Sequence, residues 1–263
     1  MTAATVVLPR SGRTGQVAWS VVGTGGPVTV FAHGLGGSVA ETRPLAAKVT
    51  GSRVLLDFRG HGESGALPGG WDYDLLADDL LAVADAVEAT RAVGLSLGSG
   101  ALLRALSRDA GRFERLALVL PAALDTARAD GATLRLQSLG LAIDDRDVDA
   151  VTALLLSELP PAVQERRAVA ALLRRRATAL VDRPAPVPLT GDRPLADRAV
   201  LAGVVSPALV VAQERDPLHR VEVARELQAA LPHARLHVLP EAGVFWTAPR
   251  EAQRVLADHL DPW

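Results

Sequence analysis

Short apolar runs alternate along the chain with longer stretches whose apolar positions recur every three to four residues. Val28–Ala32, Arg53–Phe58, Arg91–Gly94, Arg115–Leu120 and Pro207–Gln213 are mostly apolar runs, the pattern of strands buried on both faces, and Ala234–Leu239 predicts a final strand. Thr5–Leu8 and Gln16–Val22 predict a further pair of strands joined by a turn at Ser11-Gly12. Between the runs, Val39–Val49, Tyr73–Glu88, Leu97–Arg108, Val221–Leu231 and Pro249–Leu260 predict helices, with Asp74 placed as an N-cap for the second. Strands that alternate with helices imply a mostly parallel sheet covered on both faces, with ligands at the carboxyl ends of the strands.

The pattern changes from about Ala122 to Asp197, where alanine, leucine and arginine dominate and β-branched runs disappear. Helices are expected at Leu134–Gly140, Asp147–Glu158 and Pro161–Leu180, as a helical insertion lying over the sheet. The chain then divides into a core of residues 1–121 and 198–263 and a helical segment of residues 122–197. The Arg166-Arg167 and Arg174-Arg175-Arg176 runs are expected to be solvated helix faces in preference to an anion site. Arg183–Pro194 contains four prolines and reads as a stiff linker.

Composition narrows the function. With 263 residues the chain can bury a full α/β core, and its net charge of −2 implies no general attraction to nucleic acid. It has no cysteine, which excludes thiolate chemistry, and Lys48 is its only lysine. No stretch reaches the roughly 20 apolar residues of a membrane span, so a cytoplasmic protein without a membrane partner is expected. The glycine-rich stretches lack the lysine of a phosphate loop, and no cofactor is expected. A small-molecule substrate is the expected partner. Nothing in the pattern speaks to oligomeric state.

Three strand ends carry candidate chemistry. Gly94-Leu95-Ser96-Leu97-Gly98 matches G-x-S-x-G between an apolar strand and an apolar helix. In that setting a serine sits at the apex of a sharp turn, and the N–H of the next residue, Leu97, can stabilise negative charge on a substrate oxygen. His33-Gly34-Leu35-Gly36-Gly37-Ser38 ends an earlier strand; it is either a plain strand-to-helix loop or the source of a second such donor, the N–H of Leu35. The Asp57–Ser64 turn is rich in glycine, and Asp57 and Ser64 are expected to hold it by hydrogen bonds. A late strand ends in Glu214-Arg215-Asp216-Pro217-Leu218-His219.

In order and spacing, these features resemble the α/β-hydrolase family over nearly the whole chain outside the insertion. The resemblance implies a mostly parallel eight-stranded sheet flanked by helices, with a helical cap inserted after strand six. It implies Ser96 as nucleophile, Asp216 as acid, and the N–H groups of Leu35 and Leu97 as an oxyanion hole. It places the histidine just after a glycine beyond the last strand, and there the sequence reads Ala242-Gly243-Val244-Phe245. Val244 cannot accept a proton, so the Ser-His-Asp set is expected to be incomplete. His219, three residues after Asp216, is the alternative base, although packing at a helix start is the reading expected for it. His33 is expected to support its loop, and His237 and His259 to be structural or exposed. Two enzyme readings follow: atypical hydrolysis of a small apolar ester, thioester or lactone through Ser96, or non-hydrolytic chemistry such as cyclisation, elimination or isomerisation in the same pocket. A ligand-binding scaffold without turnover is the third.

Overall fold

The structure is a computed structural model that describes residues 8–67, 70, 72–126, 131–182 and 192–261. In chain order the elements are β1 (Ser11–Thr14), β2 (Val17–Val22), β3 (Val28–Ala32), α1 (Val39–Leu45), β4 (Ser52–Asp57), α2 (Tyr73–Ala86), β5 (Arg91–Leu95), α3 (Leu97–Arg108) and β6 (Arg115–Val119). Then come α4 (Gly131–Asp144), α5 (Val148–Leu156), α6 (Pro161–Gln164) and α7 (Arg167–Asp182). The chain ends with β7 (Ala208–Gln213), α8 (Val221–Ala230), β8 (Ala234–Leu239), α9 (Val244–Thr247) and α10 (Pro249–Leu260).

The strands form one sheet in the order β1-β2-β4-β3-β5-β6-β7-β8. β1 and β2 are antiparallel, as are β2 and β4, and every later pairing is parallel. The apolar runs are continuous because both faces are covered, and side chains alternate between two cores. Val30 and Ala32 of β3, Ala92 of β5 and Leu116 and Leu118 of β6 pack beneath α2, α3 and α8. Phe31, Val93, Ala117 and Val119 point the other way, toward α1 and α10. β3 lies between β4 and β5, so the chain leaves it in one direction and later returns on the other side. Such a reversal opens a crevice at the carboxyl edge of the sheet.

Helices α4 to α7 lie between β6 and β7 in sequence and build a third core of their own, with Leu139, Ile143, Val151, Leu155, Val169, Leu173 and Leu180 at its centre. Leu35 and Trp246 from the sheet edge pack against it.

Several expected boundaries move. Ser11 and Gly12 are not a turn but part of β1, paired with Ser20 and Trp19, and the reversal falls at Gly15-Gln16. The expected strand Thr5–Leu8 lies outside the described residues apart from Leu8, and the linker outside them apart from Asp192, Arg193 and Pro194. Asp72, not Asp74, caps α2: its carboxylate accepts the Leu75 N–H at 2.8 Å, while Asp74, in the first turn, pairs with Arg108. The single helix expected over Pro161–Leu180 is broken into α6 and α7. Val163 and Val169 are both buried in the third core, yet six residues apart on one straight helix they would point about 120° away from each other.

Candidate active site

Ser96 sits between β5 and α3 with φ 50° and ψ −106°, a left-handed conformation that L side chains rarely adopt. The sequence allows this corner because its neighbours are glycines. A Cβ on Gly94 would lie 2.3 Å from the Gly98 carbonyl oxygen, and one on Gly98 would lie 2.4 Å from that of Ala32. The Ser96 N–H donates to Val119 O at 2.8 Å, and the Gly98 N–H to His33 O at 3.1 Å. The corner is thus tied to the two neighbouring strands.

Ser96 Oγ lies 2.8 Å from His219 Nε2, and His219 Nδ1 lies 2.8 Å from Asp216 Oδ2. The expectation that His219 packs at the start of the following helix is therefore corrected; the alternative reading of His219 is the one that brings an imidazole to the serine, where the set was expected to be incomplete. The cause is local. Asp216 Oδ1 accepts the N–H of Leu218 at 2.8 Å and of His219 at 3.0 Å, so the carboxylate curls its own loop. That turn carries the imidazole back over the other carboxylate oxygen. Burial pushes the Asp216 carboxyl up, but the adjacent His219 and hydrogen bonds from His219, Gln213 and the Leu218 N–H outweigh it and hold it below the ordinary value.

Val244 is buried and lines the same cavity. Its N–H donates to Gln213 Oε1 at 3.0 Å, and Gln213 Nε2 donates to Asp216 Oδ2 at 2.5 Å. Gln213, which no sequence pattern singled out, thus links the β8 loop to the carboxylate. The other histidines serve elsewhere. His237 Nε2 meets Glu251 at 2.9 Å, and His259 Nε2 meets the Leu116 carbonyl at 3.0 Å.

The loop after β3 faces the serine. The N–H groups of Leu35 and Leu97 have no hydrogen-bond partner among the described residues, and both residues line the cavity. The loop is held from below and from above. Below, His33 Nδ1–H donates to Gly34 O at 2.7 Å and its Nε2 accepts the Phe58 N–H at 3.0 Å. Burial pushes this histidine down to about 4, so it stays neutral and keeps that pattern. Beside it Asp57 accepts the N–H groups of Val39 at 2.7 Å and Glu63 at 2.9 Å, and Ser64 Oγ donates to the Asp57 carbonyl. From above, Arg176 on α7 donates to the Leu35 carbonyl and, at 3.1 Å, to Glu41 Oε1, while Glu41 Oε2 accepts the Gly34 N–H at 2.8 Å. The solvated-face expectation therefore fails for Arg176. It holds for Arg166, Arg167, Arg174 and Arg175, which are exposed.

These groups open into a cavity of 170 Å³ between the sheet edge and α4 to α7, walled by leucines that include Leu136, Leu139, Leu155, Leu159 and Leu173. Among the described residues, no group of three or more histidine, aspartate or glutamate side chains is arranged to hold a metal ion. No helix among them is long and apolar enough to cross a membrane.

Residues 21–258 match the profile of the alpha/beta hydrolase family, and the chain belongs to that family. It is 29% identical over 236 residues to the dihydrolipoyllysine-residue acetyltransferase component of the acetoin cleaving system of Pseudomonas putida, which covers 84% of this chain. The chain spans only 59% of the length of that relative. Bromoperoxidase from Bacillus anthracis shares the fold with a TM-score of 0.79 at 17% identity, over 95% of this chain and 98% of that one. The enol-lactonase from Burkholderia xenovorans does so with a TM-score of 0.76 at 22% identity, over 93% and 96%. At these identities the two structures speak to the fold alone.

Proposed function

We propose that the protein hydrolyses a small, largely apolar ester, thioester or lactone through Ser96, with His219 as general base and Asp216 as its orienting acid. The observation that carries this reading is the pair of 2.8 Å contacts that runs from serine to imidazole to carboxylate. His219 Nε2 takes the proton as Ser96 Oγ attacks the carbonyl carbon, and the negative charge moves onto the carbonyl oxygen. The N–H groups of Leu35 and Leu97 receive that charge. The imidazolium then gives its proton to the leaving alcohol, thiol or lactone oxygen as its bond to the carbonyl breaks. Water, deprotonated by the same histidine, releases the acid from Ser96. The helical segment of residues 122–197 acts as a cap whose leucines select an apolar acyl or alcohol group. The non-hydrolytic and non-catalytic alternatives drew their support from a missing base, and His219 takes that support away.

The test is hydrolysis of p-nitrophenyl butyrate. Turnover that disappears in both Ser96→Ala and His219→Ala supports the reading. Turnover that survives Ser96→Ala contradicts it.

A further inference from the structure

Four carboxylates line the cavity among the described residues: Glu41, Glu158, Asp192 and Asp216. Three are committed. Glu41 holds Arg176 and the Gly34 N–H, and Asp216 holds His219, Gln213 and its own loop. Asp192 accepts the N–H groups of Tyr73 and Arg193, both at 2.8 Å. Glu158, two residues beyond the end of α5, makes no hydrogen bond or ion pair among the described residues. It stands in a wall to which α4, α5 and α7 contribute Leu136, Leu139, Leu155 and Leu173, with Arg176 the charged side chain of α7 beside them. Arg176, His219, Asp216 and Arg135 are the charged or titratable groups whose fields it feels, and burial pushes its carboxyl up to about 7.

Glu158 is half-buried and faces a mostly aliphatic cavity; a substrate that fills that cavity strips water from the carboxyl, and one that brings a donor to it recovers the lost hydrogen bond. A purely apolar lining would serve a purely apolar substrate better. We infer that Glu158 is a specificity-determining residue, and that the substrate carries a hydroxyl or amino donor on the part that lies against the end of α5. This rests on the hydrolase reading for the position of the carbonyl at Ser96. It adds the chemical class of the group that the cap end of the site recognises.

The experiment uses ligands that cannot react, so binding is read without turnover. Linear N-methylalkanamides and their ω-hydroxy and ω-amino counterparts are titrated calorimetrically into the wild-type protein, Glu158→Gln and Glu158→Leu, with thermal melting to check that each variant is folded. In the wild type, a donor-bearing amide binds about tenfold or more tightly than its unsubstituted partner at one chain length, the scale of a charge-assisted hydrogen bond. In Glu158→Leu that ratio falls to within about threefold, and Glu158→Gln retains part of the preference for the hydroxyl. Equal binding of substituted and unsubstituted amides by the wild type overturns the inference, as does a preference that Glu158→Leu leaves intact. Hydrolysis of the matching p-nitrophenyl esters reports separately on Ser96 and His219. A failure of the catalytic reading therefore shows as absent turnover, whatever the binding ratios are.

Discussion

The loops that follow β7 and β8 leave neighbouring parallel strands at the same edge of the sheet, and both reach the cavity. They are built in opposite ways. The β7 loop is polar: Arg215 takes a positive φ of 58°, Asp216 binds two N–H groups of its own turn, and His219 emerges facing Ser96. The β8 loop turns at Gly243, with φ 84°, directly into α9, and Val244 joins the apolar core under α10 with Leu239, Ala252 and Leu256. The family resemblance places its histidine in the second loop. Here the imidazole arrives from the first, on the same turn as the carboxylate that orients it. The proposed reaction needs a proton acceptor within reach of the serine; the first loop brings an imidazole there, and the second is the other route to be tried.

The largest effect that probes this contrast is the loss of His219. His219→Ala is expected to lower kcat for a p-nitrophenyl ester by roughly 10⁴- to 10⁶-fold, because the serine hydroxyl loses its base. Steady-state kinetics checks it, and a loss under about tenfold breaks the contrast. Next comes the transplant. Adding Val244→His to His219→Ala is expected to restore at least about tenfold over the single variant, since position 244 lines the same cavity and Gln213 already connects its backbone to Asp216. No recovery indicates that the second route is closed in this chain.

A smaller effect belongs to the brace between Arg176 and the loop after β3. Arg176→Gln and Glu41→Gln are each expected to lower kcat about tenfold, less than the loss of an oxyanion donor itself. The double variant is expected to be no worse than either single one, because both break one chain of contacts. Additive losses in kcat exclude a shared brace.

The smallest effect belongs to the two buried histidines behind the loop after β3, His33 and His61. Burial pushes His33 and His61 down to about 4, whereas an unfolded histidine titrates near 6.5. As pH falls below that value the unfolded chain binds protons that the folded chain refuses, so stability declines from about pH 6.5 toward pH 4 and then levels for these two groups. Thermal midpoints across that window are expected to fall, and to fall less steeply in His61→Leu.

The sequence exposed most of the scaffold because β3, β4, β5, β6 and β7 are buried on both faces and leave mostly apolar runs. α3, β8 and α10 begin and end where the pattern places them. Ser96 and Asp216 were legible as strand ends, and the glycines around Ser96 because backbone contacts at 94 and 98 leave no room for a Cβ. The place of His219 was not legible in the same way. Its direction depends on the hydrogen bonds that the Asp216 side chain accepts from two following N–H groups, a local turn with no period to read. The sequence signal was an aspartate before a proline with a histidine two places later, a pattern prone to such a turn. Arg176 was misread because its helix face is solvated on one side and meets the loop after β3 on the other. Glu158 offered no signal, since its surroundings exist only once the helices between β6 and β7 pack against the sheet edge.

The most direct measurement is the second-order rate at which a fluorophosphonate labels Ser96, with the site of attachment read by mass spectrometry. The account predicts that Ser96 is labelled in the wild type, that Val244→Leu reacts at a rate within a few-fold of it, and that His219→Ala reacts at least about 10³-fold more slowly. Labelling of Ser96 at the wild-type rate in His219→Ala would contradict the account.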